Sequence, residues 1–468
     1  MKIVVLSGSP KGKESVSLQS MNYLSGRFSA HTYEVFHISQ TIKKIEGDTN
    51  VFSQIIEAVR NADLVMWVSP VYTFLIPAQL KRFIELVFEK NATDAFTGKS
   101  AAVLMTSINF FDHCGVNYLR SICDDMGMHF CGSFAADSFD LLEENERTKL
   151  EFFGEQVFDR VNESMPLQKA FQPVIYDTRD YTPQKNVSGQ ATIDLQGKKL
   201  IVIKDKAYTD TNTGKMISAF TQLFSGSVEV YNLQDVEIKG GCLGCIQCGF
   251  DNECVYDGKD GFKDFFNTRI NEADIIVFAG EIKDRWLSSG WKQFYDRSFF
   301  NNHVPVMAGK QIGCLISGPL TQLANLREIT EAFAEWQRAN LVDIVTDEHT
   351  GDTDLDGALS QLATGLAKAS AKGYIKPATF LGKGGHKIFR DDIWGRHRFV
   401  FQVDHHYYEK NGFYDFPQYD EKIIETNKNM MELTKDPEMR KAVRKMLKSE
   451  MVKPHIKIVE DLLADTSQ

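Results

Sequence analysis

Two short stretches concentrate the residue types that do chemistry. The first is Gly241-Cys-Leu-Gly-Cys-Ile-Gln-Cys-Gly-Phe-Asp-Asn-Glu-Cys, which spaces Cys242, Cys245, Cys248 and Cys254 as C-x2-C-x2-C-x5-C. Two-residue gaps let one loop wrap thiolates around a single inorganic core. Zn²⁺ also takes four thiolates. Zinc ribbons, however, use two C-x2-C knuckles held apart by a longer stretch, so the tight run favours an iron–sulfur cluster such as [4Fe-4S]. Four unliganded thiols are the third reading. The second stretch is Ser7-Gly-Ser-Pro-Lys-Gly-Lys-Glu-Ser-Val-Ser. It follows an apolar run and opens a helical pattern, where unpaired N–H groups and the helix dipole attract a phosphate. Hydroxyls of Ser9, Ser15 and Ser17 add donors, and Lys11 adds charge. An ordinary serine-rich helix cap is the plain alternative.

A second loop, Ser69-Pro-Val-Tyr-Thr-Phe-Leu-Ile-Pro, closes another apolar run. Pro70 stiffens it, Tyr72 and Phe74 offer flat apolar surfaces, and its amides can bond the polar edge of a tricyclic ring. The alternative for Tyr72 and Phe74 is packing on the following helix. A third loop, Ser107-Ile-Asn-Phe-Phe-Asp-His-Cys-Gly, completes the rim.

The elements that position these loops repeat. Asn61-Ala-Asp-Leu-Val-Met-Trp-Val resembles Glu272-Ala-Asp-Ile-Ile-Val-Phe-Ala. At the same offset Leu80-Lys-Arg-Phe-Ile-Glu faces Trp291-Lys-Gln-Phe-Tyr-Asp, and Gly98-Lys-Ser-Ala-Ala-Val faces Gly309-Lys-Gln-Ile-Gly-Cys. The second copy is longer, and the cysteines sit in its extra length. In the first copy, apolar runs over 2–6, 34–38, 64–68, 101–106 and 128–134 predict strands. Helical patterns run to residue 24, onward from about 51, and over 78–89 and 116–125. Apolar runs separated by helices indicate a parallel sheet buried on both faces. The fold class expected is α/β: two tandem doubly wound parallel-sheet domains of flavodoxin-like topology with a C-terminal helical appendage. The expected division is 1–165 for the first domain, 166–196 for a linker, 197–350 for the second domain with the cysteines, and 351–468 for the appendage. In that appendage 355–371 reads as helix and Gly382-Lys-Gly-Gly-His as a glycine-rich loop. A helical pattern over 421–463 is interrupted near Pro437 and Pro454.

Composition limits the alternatives. The chain has 468 residues, 43% hydrophobic and 25% charged, with 12 prolines, which excludes collagenous or wholly disordered classes. A net charge of −10 argues against a nucleic-acid or acidic-membrane surface. No signal-peptide core and no spanning stretch is evident. A cytoplasmic location with reduced thiols is therefore the expectation.

Residues 7–17, together with Pro70-Val-Tyr and Pro77-Ala-Gln-Leu-Lys-Arg-Phe, resemble the NAD(P)H-dependent FMN reductase family over roughly residues 1–160. The resemblance implies FMN, with its phosphate on Ser9, Lys11, Ser15 and Ser17 and its ring near Pro70, Val71, Tyr72 and Thr73, with Ser107 at the rim. The cysteine segment is similar to the iron–sulfur flavoproteins over about 198–350, which implies a [4Fe-4S] cluster on Cys242, Cys245, Cys248 and Cys254. The second copy departs from the flavin pattern. Lys204-Asp-Lys-Ala-Tyr-Thr-Asp-Thr-Asn-Thr-Gly-Lys replaces the serine–proline loop, and Glu281-Ile-Lys-Asp-Arg-Trp replaces Pro-Val-Tyr.

The resulting expectation is a pseudo-dimeric chain. One copy holds FMN and the other brings cysteines to it, passing electrons between FMN and a cluster or reduced nicotinamide, NAD(P)H. Its partner is then a small-molecule or protein redox partner, with homo-oligomerisation open and no acidic or basic catalytic residue required. The competing readings are an NAD(P)H-dependent quinone, azo or nitro-compound reductase with structural cysteines, and a non-enzymatic redox carrier or zinc-stabilised module. Four signals are set aside. Gly98-Lys-Ser lacks the upstream glycine of a phosphate loop, because Thr93 stands there. His386, His397, Asp404, His405 and His406 read as surface or aromatic packing. Lys81 and Arg82 read as a solvated helix face. Cys131 and Cys314 read as core thiols, while Cys114 is placed on the flavin rim.

Overall fold

The computed structural model describes residues 1–163, 168–177, 179–184, 192–348, 351–415 and 421–465. Much of the linker expected over 166–196 lies outside them. Two units are distinguished, Met1–Tyr407 and Tyr408–Gln468. The first contains both sheets.

The first sheet is formed by β1 (Lys2–Ser7), β2 (Thr32–Phe36), β3 (Leu64–Pro70), β4 (Ser100–Ser107) and β5 (His129–Asp137), in the order β2-β1-β3-β4-β5. The second comprises β6 (Leu200–Lys204), β7 (Glu229–Asn232), β8 (Ile275–Glu281), β9 (Gln311–Ser317) and β10 (Asn340–Thr346), in the order β10-β9-β8-β6-β7. Every pairing within them is parallel. Both orders are the flavodoxin-like 2-1-3-4-5, whose ligand crevice lies outside the strand ends between the first and third strands. The two sheets are thus copies of one topology, as the repeat predicts.

Helices α1 (Val16–Arg27), α2 (Ile38–Gly47), α3 (Thr49–Arg60), α4 (Ala78–Glu89), α5 (Asp112–Asp125) and α6 (Glu144–Asn162) cover the first sheet. Leu18, Met21 and Leu24 of α1 and Phe153 and Val157 of α6 pack against Ile3, Val5, Met66 and Leu104. The second copy uses α7 (Asn212–Thr221), the short α8 (Phe262–Phe265), α9 (Ser289–Arg297), α10 (Ala324–Trp336) and α11 (Asp352–Lys372). Leu355, Leu359, Leu362 and Leu366 of α11 join Met216 and Phe220 against Val202, Val277 and Leu315. Beyond it come α12 (Phe380–Asp392), α13 (Gln402–Lys410), α14 (Glu421–Leu433) and α15 (Pro437–Asp465).

Three expectations are corrected here. The sequence reading had no α2. The segment 382–386 is helix rather than loop: its glycines let α12 lie close to its neighbours, and a Cβ on Gly385 would stand 2.9 Å from Phe110. Pro454 lies inside α15, while Pro437 opens that helix, where its missing N–H costs nothing.

The face joining the copies is built on α4 and α9. Lys81 was expected in solvent, yet its side chain is 0% exposed. Its ammonium bonds Glu85 Oε1 at 3.2 Å and Asp284 Oδ2 at 2.9 Å. At the matching repeat position, Lys292 pairs with Asp296 and donates to the Tyr72 carbonyl at 2.7 Å. The backbone N–H of Ala78 donates to Asp296 at 2.8 Å, and that of Ser289 to Glu85 at 2.5 Å. Each copy therefore gives the other the contact it receives, which is the signature of an isologous two-fold interface. Arg82, also expected on a solvated face, is 26% exposed and pairs with Glu46, Glu85 and Glu89.

Candidate functional site: a cavity shared by the two copies

A cavity of about 250 Å³ opens at the carboxyl ends of β1, β3 and β4. Ser9, Lys11, Ser15, Ser17, Pro70, Val71, Tyr72, Thr73 and Ser107 all line it. The structure thus brings every expected flavin residue to one place, at the switch point of the sheet.

Local chemistry explains the shape of the phosphate end. Gly8 continues β1 by donating to the Val68 carbonyl at 2.7 Å. A Cβ there would stand 2.4 Å from Leu80 Cδ2, so only glycine lets the loop pass α4. Ser15 caps α1, accepting from the Leu18 N–H at 3.4 Å. The Ser17 hydroxyl meets that of Thr106 at 2.5 Å. Val16 and Ser17 begin the helix and line the cavity, so no carbonyl within α1 can take their N–H groups. Lys11 makes no ion pair among the described residues. Burial pulls its ammonium below the usual lysine range, opposed by Cys242, Cys245 and Glu14. Buried hydroxyls, free helix amides and an uncompensated ammonium form a donor set suited to a phosphate.

The ring end rests on a strained turn. Tyr72 and Leu75 exchange backbone bonds of 2.7 and 3.1 Å around Thr73 (φ 37°) and Phe74 (φ 69°). Both central residues are left-handed without being glycine, at a cost of roughly 1–3 kcal/mol each. Burial of Phe74 against Phe110, Phe111, Phe333 and Trp336 offsets this. Lys292 fixes the Tyr72 carbonyl from the second copy. Tyr72 Oη and Trp336 Nε1 are buried without a hydrogen-bond partner among the described residues, and both residues line the cavity. Asp296 also lines it; burial pushes its carboxyl up to about 6, even with Lys292 beside it.

The opposite wall comes from elsewhere in the chain. Phe299, His303 and Trp336 contribute from the second copy, and Phe389, Asp392, His397 and Phe401 from the segment after it. Sequence reading set His397 aside and missed the others, since no motif marks them. Asp404 is not a surface group but is buried against His303, whereas His397 is partly exposed and packs on Phe139 and Phe401, as expected, while bonding Asp392 at 2.6 Å. Cys114 is not on the rim. It sits buried in α5, 3.4 Å from His113 Nε2, and burial pushes its thiol up. Cys131 and Cys314 are buried in strands, as expected.

The cysteine loop abuts this cavity. Cys242, Cys245, Cys248 and Cys254 line a smaller cavity of about 20 Å³ with Tyr256, Arg297 and Phe299, and Cys242 lines both. Gly244 (φ +63°) presses on the flavin loop so closely that a Cβ would lie 1.7 Å from Tyr72 Oη. Arg297 anchors the loop base through the Gly240 carbonyl at 2.9 Å and Asp260 at 2.8 Å. As bare thiols, Cys242 is pushed up to about 12 by burial, and burial raises Cys248 as well. Sulfurs ligating one Zn²⁺ at about 2.3 Å lie about 3.8 Å apart. Among the described residues, no three of these four sulfurs lie within 4.8 Å of one another.

The equivalent mouth of the second copy is filled. Glu281 stands at the Pro70 position and is paired with Lys206 at 2.8 Å. Asp347 accepts from Asn212 at 2.7 Å, Ser317 at 2.7 Å and the Gly318 N–H at 2.9 Å. Tyr208 donates to Asp205 at 2.5 Å. Carboxylates occupy the approach to α7 where a phosphate would lie, and repel it.

The two sheets give the chain a flavodoxin-like fold, with an open cavity at the switch point of the first copy. Residues 1–140 match the family model described as NADPH-dependent FMN reductase. The match falls on the first copy. No curated protein matches the chain. Among solved structures, it is similar to an NADH:FMN oxidoreductase in its apo form (22% identity, 36% of this chain and 91% of that one, TM-score 0.28). It is also similar to a flavoenzyme NAD(P)H:(acceptor) oxidoreductase, FerB, from Paracoccus denitrificans (15%, 34% and 97%, 0.27). A third is an FMN-dependent NADH-azoreductase from Bacillus anthracis in complex with FMN (14%, 35% and 99%, 0.27). No described helix is long and apolar enough to cross a membrane.

Proposed function

We propose that the chain is a tandem flavin oxidoreductase of a reducing, cytoplasmic compartment. It holds one FMN in the first copy and a [4Fe-4S] cluster on Cys242, Cys245, Cys248 and Cys254 of the second. In this reading the first domain spans 1–165, a linker 166–196 and the second domain 197–350, with α11 at the start of the following 351–468 packing into the second domain's core. Ser9, Lys11, Ser15 and Ser17 with the first amides of α1 hold the phosphate. Val71, Tyr72 and Thr73 hold the ring, with Pro70 and Ser107 at its edges. FMN, when bound, accepts a hydride from NAD(P)H and releases electrons singly or in pairs. A cluster supplies a one-electron carrier beside it.

The observation that carries the reading is that Cys242 lines both cavities while Gly244 touches Tyr72. A loop placed for structure alone has no reason to set one of four clustered thiols, Cys242, against a cofactor mouth.

Anaerobic purification followed by absorbance, iron, sulfide and flavin assays tests this. One FMN with four irons and four sulfides per chain is the expected result. Flavin without iron leaves a plain NAD(P)H-dependent reductase with structural cysteines. Zinc without flavin refutes both.

A further inference from the structure

A second cluster of ligand-type side chains stands where α5 of the first copy meets α10 of the second. His113 Nε2 lies 2.8 Å from Glu328 Oε1, and Cys114 Sγ lies 3.4 Å from the same ring nitrogen. One donor atom from each of the three side chains falls within 4.8 Å of the others. His113 and Cys114 open α5, while Glu328 stands near the start of α10. Asn325 ties the two helices together, donating from Nδ2 to the Cys114 carbonyl at 3.1 Å. It precedes Glu328 by three residues and so shares its face of α10. Its Oδ1 is buried without a hydrogen-bond partner among the described residues. An orphaned buried acceptor is costly, and a cation beside it would relieve that cost. Cys114 is buried, whereas the side chains of His113 and Glu328 are 53% and 36% exposed. The thiol is thus the floor of the cluster, and the imidazole and carboxylate are its solvent-facing rim.

We propose that His113, Cys114 and Glu328 bind one Zn²⁺ that clips the first copy to the second, with its fourth position open to water. The site is separate from the loop of Cys242 to Cys254, and it does not rest on the flavin or cluster reading. An imidazole nitrogen, a thiolate and a carboxylate oxygen are ligand types that zinc takes, whereas Mg²⁺ and Ca²⁺ take oxygen. Zinc bonds of about 2.0–2.3 Å set tetrahedral donors about 3.3–3.8 Å apart. The sulfur–nitrogen separation of 3.4 Å already matches, and the nitrogen–oxygen pair at 2.8 Å must open by roughly 0.5 Å. From the neutral ring with its proton on Nε2, that proton passes through solvent to Nδ1 as Nε2 takes the metal. Glu328 exchanges its bond to Nε2 for one to zinc. Cys114 gives its thiol proton to solvent as the zinc–sulfur bond forms, so one proton is released overall. Burial, with Glu328 and Asp112 close by, pushes the bare thiol up. Coordination overrides this, because a metal-bound thiol is deprotonated outright. The clip also bears on the large cavity: Asp112, beside His113, accepts from the Ser107 hydroxyl at 3.2 Å, and Ser107 lines that cavity.

The test counts zinc and reads cobalt in the purified full chain. Chelator-competition titration with Zn²⁺ should find one more equivalent in the wild type than in His113→Ala or Glu328→Gln, whatever occupies the cysteine loop. Losing an outer partner of a metal ligand costs 10–100-fold in affinity, so losing a ligand itself should weaken this site by more than about 100-fold. With Co²⁺ as the probe, Cys114→Ser should remove a thiolate-to-cobalt charge-transfer absorption. The same absorption should be lost when Cys114→Ser is made in a Cys242→Ser background, which separates this thiol from the loop. Equal zinc equivalents and affinity in the wild type and His113→Ala overturn the proposal, as does cobalt absorption indifferent to Cys114→Ser. A wild-type site that fills only at millimolar zinc is adventitious and overturns it as well. If Cys114→Ser does not fold by circular dichroism, the zinc counts of His113→Ala and Glu328→Gln, both at the solvent-facing rim, decide alone. Neither readout involves flavin, so a chain that binds no FMN removes the earlier reading and leaves this one standing.

Discussion

The two copies share a topology and an interface but not a ligand mouth. At the end of β1 the first copy leaves serine hydroxyls, helix amides and Lys11 without an anion. At the end of β6 the second copy brings Asp205, Glu281 and Asp347 to equivalent ground and satisfies them with its own donors. The same fold thus presents an open, donor-lined mouth or a closed structural end, according to which sign of charge the loops carry. What the second copy loses there it contributes sideways: Lys292 grips the Tyr72 carbonyl, and the cysteine loop leans on the Tyr72 ring.

The largest expected effect comes from giving the first mouth the character of the second. Ser17→Asp places a carboxylate at the start of α1, beside the phosphate. Juxtaposed like charges cost several kcal/mol, so FMN affinity should fall on the order of 10³-fold in a fluorescence titration. Retained affinity would mean that the phosphate lies elsewhere. Next come the two matched lysines. Removing one partner of a buried ion pair costs about 3–5 kcal/mol, so Lys81→Met and Lys292→Met should both lower stability by that order in urea unfolding. Only Lys292→Met also loosens FMN, by about tenfold if one charged hydrogen bond to the Tyr72 loop is lost. Equal effects on FMN would erase the functional asymmetry between the copies. A third outcome separates the cysteines from the flavin. Cys245→Ser, the exposed member of the four, should lower bound iron while FMN content stays within about twofold, because Cys245 does not line the flavin cavity. The smallest effect is expected at Gly244→Ala. The added methyl group must displace Tyr72 or the cysteine loop, with about 1–3 kcal/mol of strain and a shifted flavin spectrum.

Much of this arrangement was legible because it is local. Loops that follow apolar runs, with hydroxyls and a lysine at helix spacing, mark Ser9 to Ser17 without any tertiary knowledge. The repeat reveals two sheets because buried strands keep their apolar character after duplication. What escaped depends on contacts between distant segments. Lys81 looks solvated on its own helix, and only the arrival of Asp284 from the other copy makes it a buried cation. Its recurrence at Lys292, flanked by Trp291 and Phe294, was the one available hint. His303 and Asp404 are separated by a hundred positions, and no periodicity links a histidine in an irregular turn to an aspartate on a late helix. The glycines of α12 read as a loop because propensity favours one, while close packing against Phe110 requires them.

The central claim is that flavin occupies the first mouth and not the second. Hydrogen–deuterium exchange, measured with and without saturating FMN, tests it most directly. Protection confined to the amides around Ser9, Val16 and Ser17 and to Val71 through Thr73, with no change across Lys206 to Thr213, is the predicted pattern. Protection across Lys206 to Thr213, or none around Ser17, would contradict it.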